Sequence, residues 1–315
     1  MAGYTWTFDV ASGVFKNNSI SKKLRFAAIV NTVFQQFVKT EPGFGKKKGE
    51  THNIRRIKNI PVPTSAVLTE NVRVPIDTFS TGSIAITVQE MGRGVEFTSL
   101  AQDLETFDLE NGVQKQLRNQ MKVVIDNAAA AAFKTTSVKV IAIPTGLSAI
   151  TWEIEGTPTI PATVNLNYEH CGIIRDYMQA TLQVPFWEGN WYAGIASTKA
   201  LRGIKADPNF QFWRQYLRPG DVLMNSEVGM IEQIRFVESN NTAALATKQS
   251  VLGEALIFGE DAVCMIESEP FELRAAMPAD FGRQKAVAWV GQAAWSTVWD
   301  TAIAGEARIV RVSST

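Results

Sequence analysis

"GFGKKKGETHNIRRIKNIPVP", residues 43–63, is the most unusual stretch of this 315-residue chain. Between Gly43 and Ile60 it carries Lys46, Lys47, Lys48, Arg55, Arg56 and Lys58 against one acid, Glu50. Apolar and basic residues interleave through Ile54, Ile57, Ile60 and Val62 without a helical stripe, which predicts extended chain. Further on, "TGSIAITVQEM" (81–91) alternates Ile84, Ile86 and Val88 with Ala85, Thr87 and Gln89, the period of a strand. Pro61, Pro63, Pro75 and a Thr/Ser-rich connection lie between the two. The pattern is a two-stranded ribbon, outbound from about residue 50 and returning by about 97. Two strands cannot bury an apolar face, so the ribbon needs a surface to lie on.

Upstream, Leu24, Ala27, Ala28, Val30, Val33, Phe34 and Phe37 recur at three-to-four spacing and predict a helix over 20–38, capped by Ser19 or Ser21. Pro42 and the glycines at 43, 45 and 49 end it. Downstream, Ser99 and Gln102 have capping-box spacing. Leu109, Val113, Leu117, Met121, Ile125, Ala128 and Ala132 then step through a long helix of about 25 residues. Its "NAAAAAF" end (127–133) offers a smooth face that another element can approach closely. "SVKVIAI" (137–143) reads as a strand, and Asn167 caps a helix with Cys171, Ile174, Met178 and Leu182 on one face. "NWYAGIAS" (190–197) is a strand whose Ser197 caps the helix that follows. Residues 227–239 and 255–267 each read as a strand pair or bent strand, and "QKAVAWVGQAAWSTVWD" with "ARIVRVSS" supplies one or two more. Mixed order, few βαβ units and one long helix give an α+β class. No internal repeat is present.

Lys plus Arg equals Asp plus Glu, 31 each, so the basic run is local and the chain lacks the surplus of a protein that condenses nucleic acid through its own charge. Two cysteines, Cys171 and Cys264, are too few for a disulfide framework and fit a reducing cytosol. The first residues show no signal-peptide pattern, and no apolar run reaches the roughly 18 residues of a membrane span.

The chemistry motifs fail individually. In "GFGKKKGET" Glu50 stands where a phosphate loop needs lysine, with a helix before and a strand after, the reverse of a P-loop. A nucleic-acid ribbon would interleave stacking aromatics with its cations, and Phe44 is the only one. His52 lies on the ribbon. His170 and Cys171 are adjacent on a helix, diverge by about 100 degrees and cannot easily share a metal. Glu153 and Glu155 read as solvent-facing acids, and no catalytic or cofactor signature occurs. The aromatics Phe186, Trp187, Trp191, Tyr192, Phe210, Phe212, Trp213 and Tyr216 suit a buried core or subunit interface, with a glycan platform as the alternative.

The order of N-terminal helix, free-standing ribbon, long helix and α+β body resembles the major capsid proteins of tailed bacteriophages, the Hong Kong 97 fold, and most of all the phage N-four branch. The resemblance rests on residues 49–75 and 82–103, "NSEVGMIEQIRFVESNN" (225–241), "EALIFGEDAVCM" (254–265) and residues 289–312. It implies an N-terminal arm (1–42), an extended E-loop hairpin (43–98), a peripheral domain with the spine helix (99–165), an axial domain (166–261) and closing peripheral strands (262–315). The implied function is a non-enzymatic shell subunit, without cofactor or metal, forming pentamers and hexamers around double-stranded DNA bound without sequence specificity. The implied location is the virion capsid, assembled in the host bacterial cytoplasm with no membrane contact. Partners would be further copies of itself, a portal, where present a decoration protein, and a separate scaffolding protein, since no long helical extension precedes Ala11. An encapsulin-type compartment shares the fold, and a glycan-binding protein is the reading of a different class. Lys46, Lys47, Lys48, Arg55, Arg56 and Lys58 are expected to contact an adjacent subunit, where charge sets register more than affinity.

Overall fold

The computed structural model describes residues 26–42, 44–105, 108–142, 150–154, 164–206, 227–245, 253–277 and 280–314. Among these the strands are β1 (Lys39–Thr40), β2 (Thr51–Ile57), β3 (Thr81–Thr87), β4 (Gln89–Thr98), β5 (Val138–Ala142), β6 (Ile150–Ile154), β7 (Tyr192–Ser197), β8 (Glu227–Ile231), β9 (Ile234–Ser239), β10 (Gly253–Phe258), β11 (Val263–Ala275), β12 (Gln284–Thr297) and β13 (Ile309–Ser314). The helices are α1 (Ser99–Leu104), α2 (Leu109–Phe133), α3 (Tyr168–Asp176), α4 (Ala200–Ala206) and the single turn α5 (Thr242–Leu245). They build a seven-stranded mixed sheet in the order β6-β5-β13-β10-β7-β9-β8, a four-stranded sheet in the order β1-β11-β12-β4, and the β2-β3 ribbon.

At the centre of the seven-stranded sheet β10 is buried on both faces, which is why "GEALIF" is almost continuously apolar. Ala255 and Ile257 face one core with Ile174 and Met178, under α3 and α4. Leu256 and Phe258 face the other with Phe34, Ala129, Ala130 and Phe133. Helix α2, 25 residues or about 37 Å long, joins the two sheets. Its first half sets Val113, Leu117 and Met121 on Val287 and Trp289 of the four-stranded sheet. Its alanine-rich second half lies close on the seven-stranded sheet, so its length is set by the distance it bridges.

A buried charge cluster fixes that joint. Glu254 on β10 is fully buried, with Arg311 Nε of β13 2.6 Å away and Lys134 Nζ, at the end of α2, 2.9 Å away. The Arg311 contact is a hydrogen bond. The lysine approaches Oε2 too obliquely to make one, so its attraction is between charges.

The helix expected over 20–38 is not formed where the structure describes it. Residues 26–33 are irregular, and only Phe34–Phe37 make a 3-10 turn; residues 20–25 and both proposed caps, Ser19 and Ser21, lie outside the described residues. The apolar side chains of Val33, Phe34 and Phe37 dock on α2 and the sheet instead. Their backbone is satisfied from outside, with Asp126 Oδ1 of α2 accepting from Phe34 N at 2.8 Å and Gln35 N at 3.4 Å. Tertiary burial overrides the local helical pattern.

Helix α2 has the expected length, and the Asn167 cap of α3 is formed. Thr98 caps α1 in place of Ser99, accepting from Ala101 N, while Gln102 accepts from Lys285 Nζ at 2.8 Å. Residues 255–267 fall into β10 and β11 in different sheets, separated by a turn with Asp261 at φ 58°. Sheet membership also crosses the segment boundaries drawn from the sequence. Strands from 138–154 and 309–314 share a sheet with those from 192–258, and β4 (89–98) leaves the ribbon to pair with β12.

Candidate functional site

The ribbon pairs Thr51 with Thr87 through Ile57 with Thr81. Its side chains alternate, so Thr51, Asn53, Arg55 and Ile57 point outward, and His52, Ile54 and Arg56 point toward the body. Ile54, Ile84 and Ile86 of the inner face pack on Cys264, Ile266, Ala294 and Val298. The surface a lone ribbon needs is, at its root, supplied by its own chain.

Charge reinforces that seat. Lys46 Nζ lies 2.9 Å from Glu269 Oε1, and Lys58 Nζ 3.3 Å from Glu306 Oε2. Arg56 donates to the Val298 carbonyl at 3.1 Å and pairs with Asp300 at 3.3 Å. Its guanidinium lies 5.4 Å from the centre of the Trp299 ring, and Arg308 lies 5.2 Å from the same centre. Gly82 makes room for this arginine, since a Cβ there would sit 2.9 Å from Arg56 Nε. Hydrogen bonds from Lys46 and then Arg274 hold Glu269 below the usual carboxylate range. Burial pushes Glu306 upward, but Thr301, Lys58 and Arg56 outweigh it, and the carboxyl is lowered.

Of the six basic residues expected at a subunit contact, the structure therefore brings Lys46, Arg56 and Lys58 onto acids of the same chain. Arg55 stands on the outer face, while Lys47 (φ 66°) and Lys48 are exposed on the turn before β2. The partner acids lie more than 220 residues away along the chain, and no local spacing in the sequence could have marked them. Beyond Lys58 the ribbon exposes a series of large apolar side chains, among them Val62 at 93%, Val67 at 87% and Ile76 at 71%.

The other candidates are absorbed by the fold. His170 closes the α3 capping box: its Nδ1 accepts from Asn167 N at 3.2 Å, Asn167 Oδ1 accepts from His170 N at 2.8 Å, and burial lowers its pKa. Cys171 is buried, and burial raises its thiol far above its ordinary value. Burial pushes Cys264 to about 12. Among the described residues no three His, Cys, Asp or Glu side chains are grouped to hold a metal ion, and no helix is long and apolar enough to cross a membrane. Tyr192 is fully buried with Phe186 against it at 4.7 Å, and Trp187 packs on Phe37 and Phe258. Among the described residues these aromatics pack against the core, with Trp191 half-buried and Arg235 4.8 Å from its ring centre; Phe210, Phe212, Trp213, Tyr216 and the side chains of Glu153 and Glu155 lie outside the described residues.

A ribbon rooted on a four-stranded sheet, a long helix bridging to a second sheet, and strands returning from the C-terminal segment to both sheets define the Hong Kong 97 type of α+β fold. No protein-family profile and no curated protein sequence matches the chain. Among solved structures, it is similar to a chain of the head of Helicobacter pylori bacteriophage KHP40 (TM-score 0.69, 12% identity, 99% of each chain covered). It is similar also to one from the capsid asymmetric unit of cyanophage Pam1 (TM-score 0.67, 14% identity, 100% and 99% covered). A third such chain comes from Mycobacterium phage Che8 (TM-score 0.65, 13% identity, 96% and 98% covered). At these identities the likeness is one of fold.

Proposed function

We propose that this chain is the structural subunit of a tailed-phage icosahedral shell, assembling into pentamers and hexamers that enclose double-stranded DNA. The observation that carries the reading is end-to-end agreement in fold with chains of phage heads and capsids. The ribbon supports it physically: rooted on its own body, it holds an exposed apolar end that needs a second surface. The outer-face Arg55, with Lys47 and Lys48 at the turn, would then give register against a neighbour, and Lys46, Arg56 and Lys58 would set the angle at which the ribbon leaves. The seven-stranded sheet would form the axial body and the four-stranded sheet with the first half of α2 the peripheral one. Equal numbers of acids and bases suit a shell filled by a motor rather than by charge condensation. A separate scaffolding protein and a portal complete the expected partners, and the reading assigns no catalytic site or cofactor. Expression alone and with neighbouring genes, followed by sedimentation and negative-stain electron microscopy, tests it. Closed shells or capsomer rings are expected; a strictly monomeric species, even with the candidate scaffold present, would overturn the reading.

A further inference from the structure

The end of β11 opposite its pairing with β1 carries a feature that neither the core nor the ribbon explains. Where β11 turns back into β12, Met277 is 93% exposed and Phe281 entirely so. Asp280, Phe281 and Gly282 all have positive φ (48°, 54° and 91°). A bulky L side chain is disfavoured on a left-handed backbone, where glycine would be relaxed. Here a phenylalanine occupies such a position with its ring in water, making no packing contact that would stabilise its own subunit. Strain of this kind points to a role outside the subunit.

The surroundings are shaped for contact. Ser99 N donates to the Arg283 carbonyl at 2.9 Å, and Lys285 reaches Gln102, so α1 is held beside the tip with Leu100 and Leu104 exposed. A groove of about 440 Å³ runs along the first half of α2, lined by Val95, Leu109, Val113 and Phe26. The rim carries both signs of charge: Asp280 and Arg283, 3.5 Å apart at the tip, and exposed Asp103 on α1 with Glu105 just after it. An apolar centre with a polar rim is the anatomy of a protein interface. Mixed charge on a chain of zero net charge complements a second copy of the same surface, whereas a polyanion would require a rim of one sign.

We propose that this tip is an anchor between copies, with Phe281 of one copy seated in the groove beside α2 of another and Arg283 facing the acids after α1. The inference rests on the shell reading and names contact residues that the reading does not. The test uses Phe281→Gly, Phe281→Asp and the doubly substituted Phe281→Cys/Val113→Cys chain, each assembled as the unsubstituted protein is. The glycine variant should melt at the same or a higher temperature when unassembled, because backbone strain is relieved, and yield at least tenfold fewer closed shells. The aspartate variant should fail in the same way, and the cysteine pair, in which a disulfide takes the place of the ring as the link between copies, should give disulfide-linked oligomers when mild oxidation is applied during assembly. Shells at normal yield from both Phe281 variants would overturn the anchor while leaving the shell reading intact. A glycine variant that melts lower would show that Phe281 serves its own subunit, and would also overturn it. If the unsubstituted chain never assembles, both inferences fall.

Discussion

Replacing Glu254 with glutamine tests the joint between α2 and the seven-stranded sheet. The carboxylate is fully buried and faces two cations, Arg311 at 2.6 Å and Lys134 at 2.9 Å. Glutamine keeps the shape and removes the charge, leaving two like charges close together with no counter-charge. Stranding the partners of a buried ion pair costs about 3–5 kcal/mol. Lys134 and Arg311 keep 19% and 21% of their side-chain surfaces exposed, so water screens part of that loss. The low end, roughly 3 kcal/mol, is therefore expected. At about 2 °C per kcal/mol for a chain of this size, the melting temperature should fall by roughly 6 °C. Urea unfolding of the unassembled chain measures it: the midpoint should fall with the slope unchanged. A triple replacement of Glu254, Lys134 and Arg311 by apolar residues of similar volume should recover most of the loss, because the penalty lies in unpaired charge. A Glu254→Gln chain within about 0.5 kcal/mol of the original, the scale of an ordinary surface substitution, would refute the argument.

Asp126 gives a pH signature. Burial raises its pKa above 3.8, so its ionisation opposes folding as pH rises from there through the raised value, and the penalty stays constant above it. An asparagine side chain there can still accept from the Phe34 and Gln35 amides. Asp126→Asn should therefore be at least as stable as the original at pH 7, with the difference vanishing below about pH 4 in paired melts. A variant much less stable at neutral pH would contradict this. Arg55 and Arg56 should part company: Arg55→Glu should block shells without changing proteolysis of the ribbon, and Arg56→Glu should free the ribbon root and speed cleavage there. Identical behaviour of the two in assembly and proteolysis assays would count against the two-faced ribbon. Two glycines differ in what crowds them. A Cβ at Gly259 would lie 2.0 Å from the Pro185 carbonyl oxygen, and one at Gly291 2.3 Å from the Phe271 ring. The ring can rotate and the backbone cannot, so Gly291→Ala should cost about 1–3 kcal/mol and Gly259→Ala more, as denaturant titration would show.

Elements with a local pattern were legible in the residues alone. Alternation marked β2, β3 and β5, four-and-three spacing marked the 25 residues of α2, and a cap residue marked the start of α3. The charge cluster of the ribbon was equally plain. The partners of those elements emerged only in the folded chain. Residues 26–37 have helical spacing, yet only Phe34–Phe37 make a turn: Val33, Phe34 and Phe37 dock on α2 and the sheet while Asp126 accepts from the Phe34 and Gln35 amides, and Ala27, Ala28 and Ile29 stay exposed. Three of the ribbon's cations belong to acids at 269, 300 and 306, a pairing created by the return of the C-terminal segment through both sheets. Exposure was equally hidden: Phe281 reads in sequence as one more apolar residue, and only its left-handed backbone and bare ring mark it as facing outward. Period and capping act between neighbours a few residues apart, and a sequence displays them. Ion pairs, sheet order and exposure depend on residues brought together from distant parts of the chain, and those exist only once it has folded.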